Sequence, residues 1–395
     1  MSYEVGMSRD VVIAGYSETK IDVRTGRSAY DLGGEAFALL LQSTGIDKAA
    51  IDGLSVNASI SEAPNPFFAV YMCEALGLTP GWINFSGLGG ASSVAAVARA
   101  AAAIRDGLCE VAVVLAADAQ TNANRSSYGA YRGEFQEPTG VLSPPASFGL
   151  LMNRYEHQYG LKYEALGKIA VTQREHALLN ENTCPKLKKP LSMEEYLDSR
   201  MIADPLRLLD CVMVCDGANA VLVTSAERAR DLGLKKTVRI AGYAELTNHG
   251  GDQALPDMTE SGFSRIAPKV FARAGMAPAD IAMFHPYDDF TIAVVMQLED
   301  FGFAARGKGC DYVLATDLSF RGKLPLNTGG GQISAGQPGL AGGGLNLVEA
   351  VRQMFGEGGA RQVKDASTAL VTGIGVIPYG RNWTVSAGLI LEQMT

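Results

Sequence analysis

Little in this sequence could cross-link or anchor it. Six cysteines, Cys73, Cys109, Cys184, Cys211, Cys215 and Cys310, are scattered through 395 residues with no CxxC pair, which argues against both a disulfide framework and a zinc site. The opening MSYEVGMSRDVVIAGY lacks a basic region followed by a long apolar one, so no export signal is expected. No apolar run reaches the roughly 20 residues that a bilayer span needs; the Ala-rich run at 94–104 is broken by Arg99 and ends at Arg105. A soluble, cytoplasmic chain with reduced thiols is the expectation. Positive charge is also short: 34 Lys and Arg against 42 Asp and Glu leave a net −8. That excludes a broad nucleic-acid footprint, though not a local basic pocket. What the chain does have is apolar mass, 47% hydrophobic against 19% charged side chains, enough for a large core.

The most informative pattern is a weak internal duplication. VVIAGYSET at 11–19 returns as VRIAGYAEL at 238–246. Other pieces recur in the same order: STGIDKAAIDGLS at 43–55 matches RAGMAPADIAMFH at 273–285, each a turn, a short helix start and a strand. A Gly-rich turn then opens a helix, at 84–107 and again at 327–359. Each helix is followed by an apolar strand, EVAVVLAADA at 110–119 and STALVTGIGV at 367–376. Alternating strands and helices call for an α/β fold, and two copies call for two packed layers of it. The expectation is a five-layer αβαβα arrangement of two βαβαβαββ halves, residues 1–237 and 238–395. An inserted loop domain at about 120–208 interrupts the first half and could cover a ligand.

A strand, a tight glycine turn and a helix start make an anion or oxyanion site, because unpaired N–H groups and the positive end of the helix dipole point into the turn. A dinucleotide site fits poorly: GLGGASS lacks the third glycine of GxGxxG, and no acidic residue follows at about 20 residues.

Over essentially its whole length the chain resembles the thiolases, in the branch related to sterol-carrier-protein-X thiolase and lipid-transfer proteins. The resemblance rests on GGASSVAAV at 89–97, YLDSRMIADPLRLLDCVMVCDGANAVLVTSAERA at 196–229 and YDDFT at 287–291. NTGGGQISAGQPGLAGG at 327–343 and TGIGV at 372–376 complete it. By that resemblance the fold is the thiolase fold and the substrate an acyl-CoA. Coenzyme A would enter as part of the substrate, with no covalent cofactor and no metal. A homodimer is implied, and a small OB-fold, zinc-ribbon partner is a possibility the family carries.

The departures decide the chemistry. Where thiolases carry a nucleophilic Cys, a His and a second Cys, this chain has Gly90, Gln337 and Gly373. Glycine cannot attack a thioester, and the Gln337 amide is not a base near neutral pH. Ser92 and Ser93 stand beside Gly90 with no base in view, which favours hydrogen bonding at the helix start. The glycine turns remain as oxyanion and substrate-binding elements, with Gly90, Ser92, Gln337, Gly339, Gly373 and Gly375 as candidates. By resemblance to thiolase-like enzymes that lack the Cys, Tyr287 would exchange a proton with a β-hydroxyl in a retro-aldol cleavage, assisted by Asp288 or His285. A strand-end aromatic bonded to backbone is the alternative for Tyr287. Tyr379, near the last family loop, is a second acid-base candidate, and His249 could border the pocket. His157 and His176 fit solvated or capping positions. Two rival functions stay open, an acyltransferase that borrows a partner's nucleophile and a non-catalytic acyl-CoA or lipid-binding scaffold.

Overall fold

The computed structural model describes residues 10–63, 65–122, 137–141, 143–250, 257–377 and 382–394. The first half runs β1 (Val11–Glu18), α1 (Ala29–Thr44), β2 (Gly53–Asn57), α2 (Phe68–Leu76), β3 (Trp82–Ser86), α3 (Ser92–Arg105) and β4 (Val111–Ala119). Helices α4 (Pro144–Tyr159), α5 (Tyr163–Leu178) and α6 (Met193–Leu197) follow, then the hairpin β5 (Met201–Ala203) and β6 (Leu206–Arg207). Strand β7 (Asp216–Ser225) and α7 (Ala226–Asp231) close the half. The second half runs β8 (Val238–Thr247), α8 (Phe263–Ala274), β9 (Met283–His285), α9 (Thr291–Asp300) and α10 (Gly309–Ala315). It ends with α11 (Gly331–Ala335), α12 (Gly342–Met354), β10 (Thr368–Ile374) and β11 (Val385–Gln393).

The strands are hydrogen-bonded in the order β3-β2-β4-β7-β1-β8-β11-β10-β9. An isolated parallel bridge from Phe284 to Leu326 extends the far edge by the remnant of one more strand. The two half-sheets therefore repeat each other, mirrored about the seam between β1 and β8. Those are the strands carrying the VVIAGYSET and VRIAGYAEL repeat. The seam is thin: Val12 faces Arg239 and Ile13 faces Val238, whereas β4 and β7 pair along Val111–Ala119.

Strand periodicity sorts the core into layers, since successive side chains point to opposite faces. Val11 and Ile13 join α3, α12 and the inner residues of β10 and β11, while Val12 and Ala14 join α1 and α2. In the second half Ala369 and Val371 face α3 and α12, and Leu370 and Ile374 face the α8 and α9 side. The layers are thus α1/α2, half-sheet, α3/α12, half-sheet, α8/α9, the thiolase fold expected from the sequence. The middle layer dictates composition. Helix α3 is mostly alanine and valine, which lets it lie between two sheets, and every residue of α12 is buried. Buried charges on α12 must therefore be paired. Glu349 meets Arg352 at 2.6 Å and Arg361 at 3.0 Å, and Arg352 also reaches Glu18 at 2.6 Å.

Helices α4 to α6 and the hairpin lie between β4 and β7 in the chain yet pack on the second half. The Tyr155 hydroxyl donates to Glu299 at 2.5 Å, and Asp210, which accepts from Tyr196 at 2.6 Å, also accepts from Thr291 of α9 at 2.5 Å. Phe148 of α4 stacks on Phe290 with ring centroids 4.0 Å apart. That contact sets the insertion against the YDDFT segment.

Candidate active site

Strand β9 ends at His285 and delivers a loop, Pro286 to Phe290, that is clamped on all sides. Asn327 and Asn346 both donate to the Pro286 carbonyl, at 3.1 and 2.7 Å. The Tyr287 N–H donates to the Thr372 hydroxyl at 2.8 Å, and Gln297 donates to the Tyr287 carbonyl at 2.8 Å. Thr372 in turn donates to the Gln297 side-chain oxygen at 2.5 Å. With backbone donor and acceptor both engaged, the Tyr287 ring is aimed by its main chain and needs no bond of its own.

The ring points at the head of α3. A β-carbon built on Gly90 would fall 2.2 Å from both the Tyr287 oxygen and Cζ, far inside contact distance. The space that a side chain at position 90 needs is the space the phenol fills. The turn is equally confined from behind: a β-carbon on Gly343 would lie 2.0 Å from the Gly90 carbonyl oxygen, and one on Gly373 2.5 Å from the Ala91 Cα. Gly90 and Gly373, candidates from the first and second halves, are thus brought to one junction with Tyr287.

The two serines are spoken for. Ser92 accepts from the Leu88 N–H at 3.0 Å and donates to the Ser86 carbonyl at 3.2 Å, and Ser93 accepts from Asn57 at 2.8 Å. Gln337 does reach the site, its amide donating to the Tyr287 oxygen at 3.4 Å and to the Gln332 oxygen at 3.1 Å. Two other glycine amides are engaged internally: Gly339 N–H donates to the Gln337 carbonyl and Gly375 N–H to the Val385 carbonyl, each at 2.9 Å. Asp118, buried, ties the first half to this turn by accepting from Ile60 N–H at 2.8 Å and Leu340 N–H at 3.0 Å.

Residues 244–385 match the family described as thiolase C-terminal domain-like. A steroid side-chain-cleaving aldolase of Thermomonospora curvata is 31% identical over 396 residues, 93% of this chain and 96% of that protein. The chain belongs to the thiolase superfamily, in its thiolase-like aldolase branch. The 17-hydroxy-3-oxo-4-pregnene-20-carboxyl-CoA lyase of Mycobacterium tuberculosis is 31% identical over 89% of this chain and 92% of its own. A solved Ltp2-ChsH2(DUF35) aldolase superposes with a TM-score of 0.85 at 30% identity, covering 97% of this chain and 98% of that one.

Electrostatics in this thiolase-like site assign the neighbours of Tyr287 differently from their order in the sequence. Asp288, suggested as its assistant, is turned away to the start of α11. Its carboxylate accepts from the Gln332 and Ile333 N–H groups at 3.0 and 3.2 Å and from Asn346 at 3.1 Å. Burial pushes its pKa up to about 7 despite those donors. His285 is buried with neither ring nitrogen hydrogen-bonded, and burial lowers it to about 4. It makes no hydrogen bond to Tyr287, because as a β9 residue it sits in the sheet opposite Val371. His249 is half-buried in the loop after β8, its Cβ beside Gly262; burial and Arg265 lower its pKa. Tyr379 lies outside the described residues. Tyr287 itself is held well above the usual phenol range by burial and by the Asp289 and Asp288 carboxyls, so it is a neutral phenol at pH 7.

His176 departs from its expected solvated place. It is buried, accepts from the Phe320 N–H at 3.1 Å through Nε2 and faces the Asn327 carbonyl at 3.2 Å through Nδ1, which fixes a neutral tautomer. Sequence reasoning passed over Thr372, Gln297, Asn346, Gln332 and Asp289. Asp289 was signalled only by adjacency in YDDFT; its Oδ1 is buried without a partner, and burial with Asp288 nearby raises its pKa well above the carboxylate range. Gln332, a lone polar residue in a glycine run, was the other available signal.

One consequence concerns acid stability. His285 has a folded pKa below its unfolded 6.5, so its contribution is present above pH 6.5 and lost as pH falls through about 4, at about 1.4 kcal/mol per pKa unit. Replacing His285 with Leu removes that loss and an unpaired buried polar group. Urea unfolding should show the variant at least as stable as wild type at pH 7 and increasingly favoured toward pH 4, with kcat within a few-fold. A steep loss of kcat would put His285 back among the catalytic groups.

Proposed function

We propose that this thiolase-like aldolase cleaves the Cα–Cβ bond of a 3-hydroxyacyl-CoA without forming an acyl-enzyme. The observation that carries the reading is the Tyr287 phenol in the volume that a nucleophile at position 90 would need. Of the serines beside Gly90, Ser92 is bonded to Leu88 and Ser86 within the turn and Ser93 accepts from Asn57 of β2. The name of the M. tuberculosis relative's substrate puts a hydroxyl on carbon 17 and the thioester carboxyl on carbon 20, which makes that hydroxyl β to the thioester carbonyl. A retro-aldol reaction requires that relation.

In the proposed cycle the β-hydroxyl proton moves to the Tyr287 oxygen as the phenol's own proton leaves for the α-carbon, so the oxygen never carries two protons. The electron pair of the breaking Cα–Cβ bond, delocalised into the thioester as a developing enolate, takes up the phenol proton, and the β-carbon departs as a ketone or aldehyde. The products are the shortened acyl-CoA and a Tyr287 that now holds the proton of the β-hydroxyl. A neutral phenol suits this exchange, because it gives one proton as it receives the other. Donors for the enolate oxygen would come from the head of α3 and the Gln337 amide, each oxyanion donor typically worth about 3–4 kcal/mol.

The assembly in this reading is a cytoplasmic homodimer working with a small DUF35-type partner, the OB-fold, zinc-ribbon protein that the resemblance implies. Support for the dimer is the edge strand β3, whose Ile83 and Phe85 are exposed next to Phe67, Val70 and Tyr71 at α2; apolar edges of this kind favour pairing. Among the described residues no helix is long and apolar enough to cross a membrane.

Purified protein, alone and with the partner, should release a ketone or aldehyde and a shortened acyl-CoA from 3-hydroxyacyl-CoAs, including 17-hydroxy steroid thioesters. Light scattering on the same sample should give a dimer mass, and intact-protein mass spectrometry no acyl adduct. Tight binding without turnover in either arm would make the chain a scaffold. A stable acyl adduct would make it an acyltransferase.

A further inference from the structure

Gln332 is buried, and its Nε2 is one of the side-chain donors with no hydrogen-bond partner. Its Oε1 accepts from Gln337 Nε2 at 3.1 Å, and the same Gln337 nitrogen is 3.4 Å from the Tyr287 oxygen. A primary amide has two N–H bonds, so one goes to Gln332 and the other is left facing the phenol. The orientation of Gln332 follows from its surroundings. The Gln332 side chain lowers the pKa of both Asp288 and Tyr287, the effect of a donor, and reversing the amide would turn its oxygen toward the carboxylate instead.

We infer that Gln332 is a positioning residue for C–C cleavage: its side-chain oxygen holds Gln337 with an N–H toward the Tyr287 oxygen, and its own N–H stands ready to share any charge that builds there. This rests on the retro-aldol reading for its catalytic part only. With the phenol oxygen accepting from Gln337, the phenol's proton is left for the substrate. When the phenol's proton leaves slightly ahead of the β-hydroxyl proton's arrival, the oxygen gains negative charge, and two amides rather than one oppose the effect of the nearby Asp289 and Asp288 carboxyls. The backbone N–H of Gln332 is separately committed to Asp288, so a side-chain change leaves the α11 start intact.

The test is Gln332→Met, close in length and without the amide. The expected result is a kcat about tenfold lower with KM within twofold, and no further loss when Gln332→Met is added to Tyr287→Phe. An equal tenfold loss in the Tyr287→Phe background would overturn the inference, since Gln332 would then act other than through the phenol. A second readout needs no turnover. With 3,5-difluorotyrosine at position 287, the fluorine NMR titration midpoint should rise by about one unit in Gln332→Met and at least as much in Gln332→Glu, the fallback if Met folds poorly. An unchanged midpoint removes the relay even if the enzyme proves to be a lyase; a shifted midpoint without activity toward any 3-hydroxyacyl-CoA leaves the relay standing and removes the retro-aldol reading.

Discussion

Tyr287→Phe should lower kcat by about 10²–10⁴-fold, the usual contribution of a positioned acid-base group, while leaving the fold intact. The two parts of this expectation come from different atoms. The hydroxyl receives one long hydrogen bond, from Gln337 at 3.4 Å, so its removal should cost less than about 1 kcal/mol of stability. The ring stays where it is, because the loop is held through the Pro286 carbonyl and the Tyr287 N–H and carbonyl rather than through the phenol. Thermal unfolding and steady-state cleavage on one preparation check both. Wild-type turnover in this variant would remove Tyr287 from the mechanism and return it to the role of a buried aromatic.

Gly90→Ala, one methyl group, should be as damaging to activity as the loss of the phenol. The new carbon would sit 2.2 Å from the ring, so either the ring or the turn must move. The turn has nowhere to go, because the Gly90 carbonyl is backed by Gly343 and Ala91 by Gly373. The ring must therefore leave the junction, and overpacking of this kind typically costs about 1–3 kcal/mol. Combining Gly90→Ala with Tyr287→Ala should return most of that stability, a coupling that a double-mutant cycle in urea measures directly. Additive losses would mean that the two residues do not compete for one volume. The same geometry bears on the sequence pattern: a cysteine at position 90 and a tyrosine at 287 with this backbone exclude each other sterically.

The layered fold was open to inspection in the chain because its signals are local and repeated. Period-two apolar runs at 11–19 and 238–246, glycine turns ahead of two small-residue helices, and apolar strands after them each report their own backbone, and duplication multiplies the signal. Site chemistry was legible only as far as residue type carries it. Gly90 cannot be a nucleophile and Gln337 cannot be a base in any fold. Adjacency was a poor guide beyond that. Asp288 follows Tyr287 in the chain, yet its carboxylate serves the amides that begin α11; His176 looks like a helix-surface residue, yet it is buried between Phe320 and Asn327.

Residue type is what the sequence settled unaided: by resemblance to the thiolases, glycine, glutamine and glycine stand at 90, 337 and 373 where a thiol, an imidazole and a second thiol are expected. Tertiary structure alone decided which side chain fills the space beside Gly90. Which groups share a volume or a proton depends on distances between segments far apart in the chain, and a linear pattern holds no record of those distances. The phenol meets Gly90 because the second half of the sheet carries Tyr287 across the middle helices to the first.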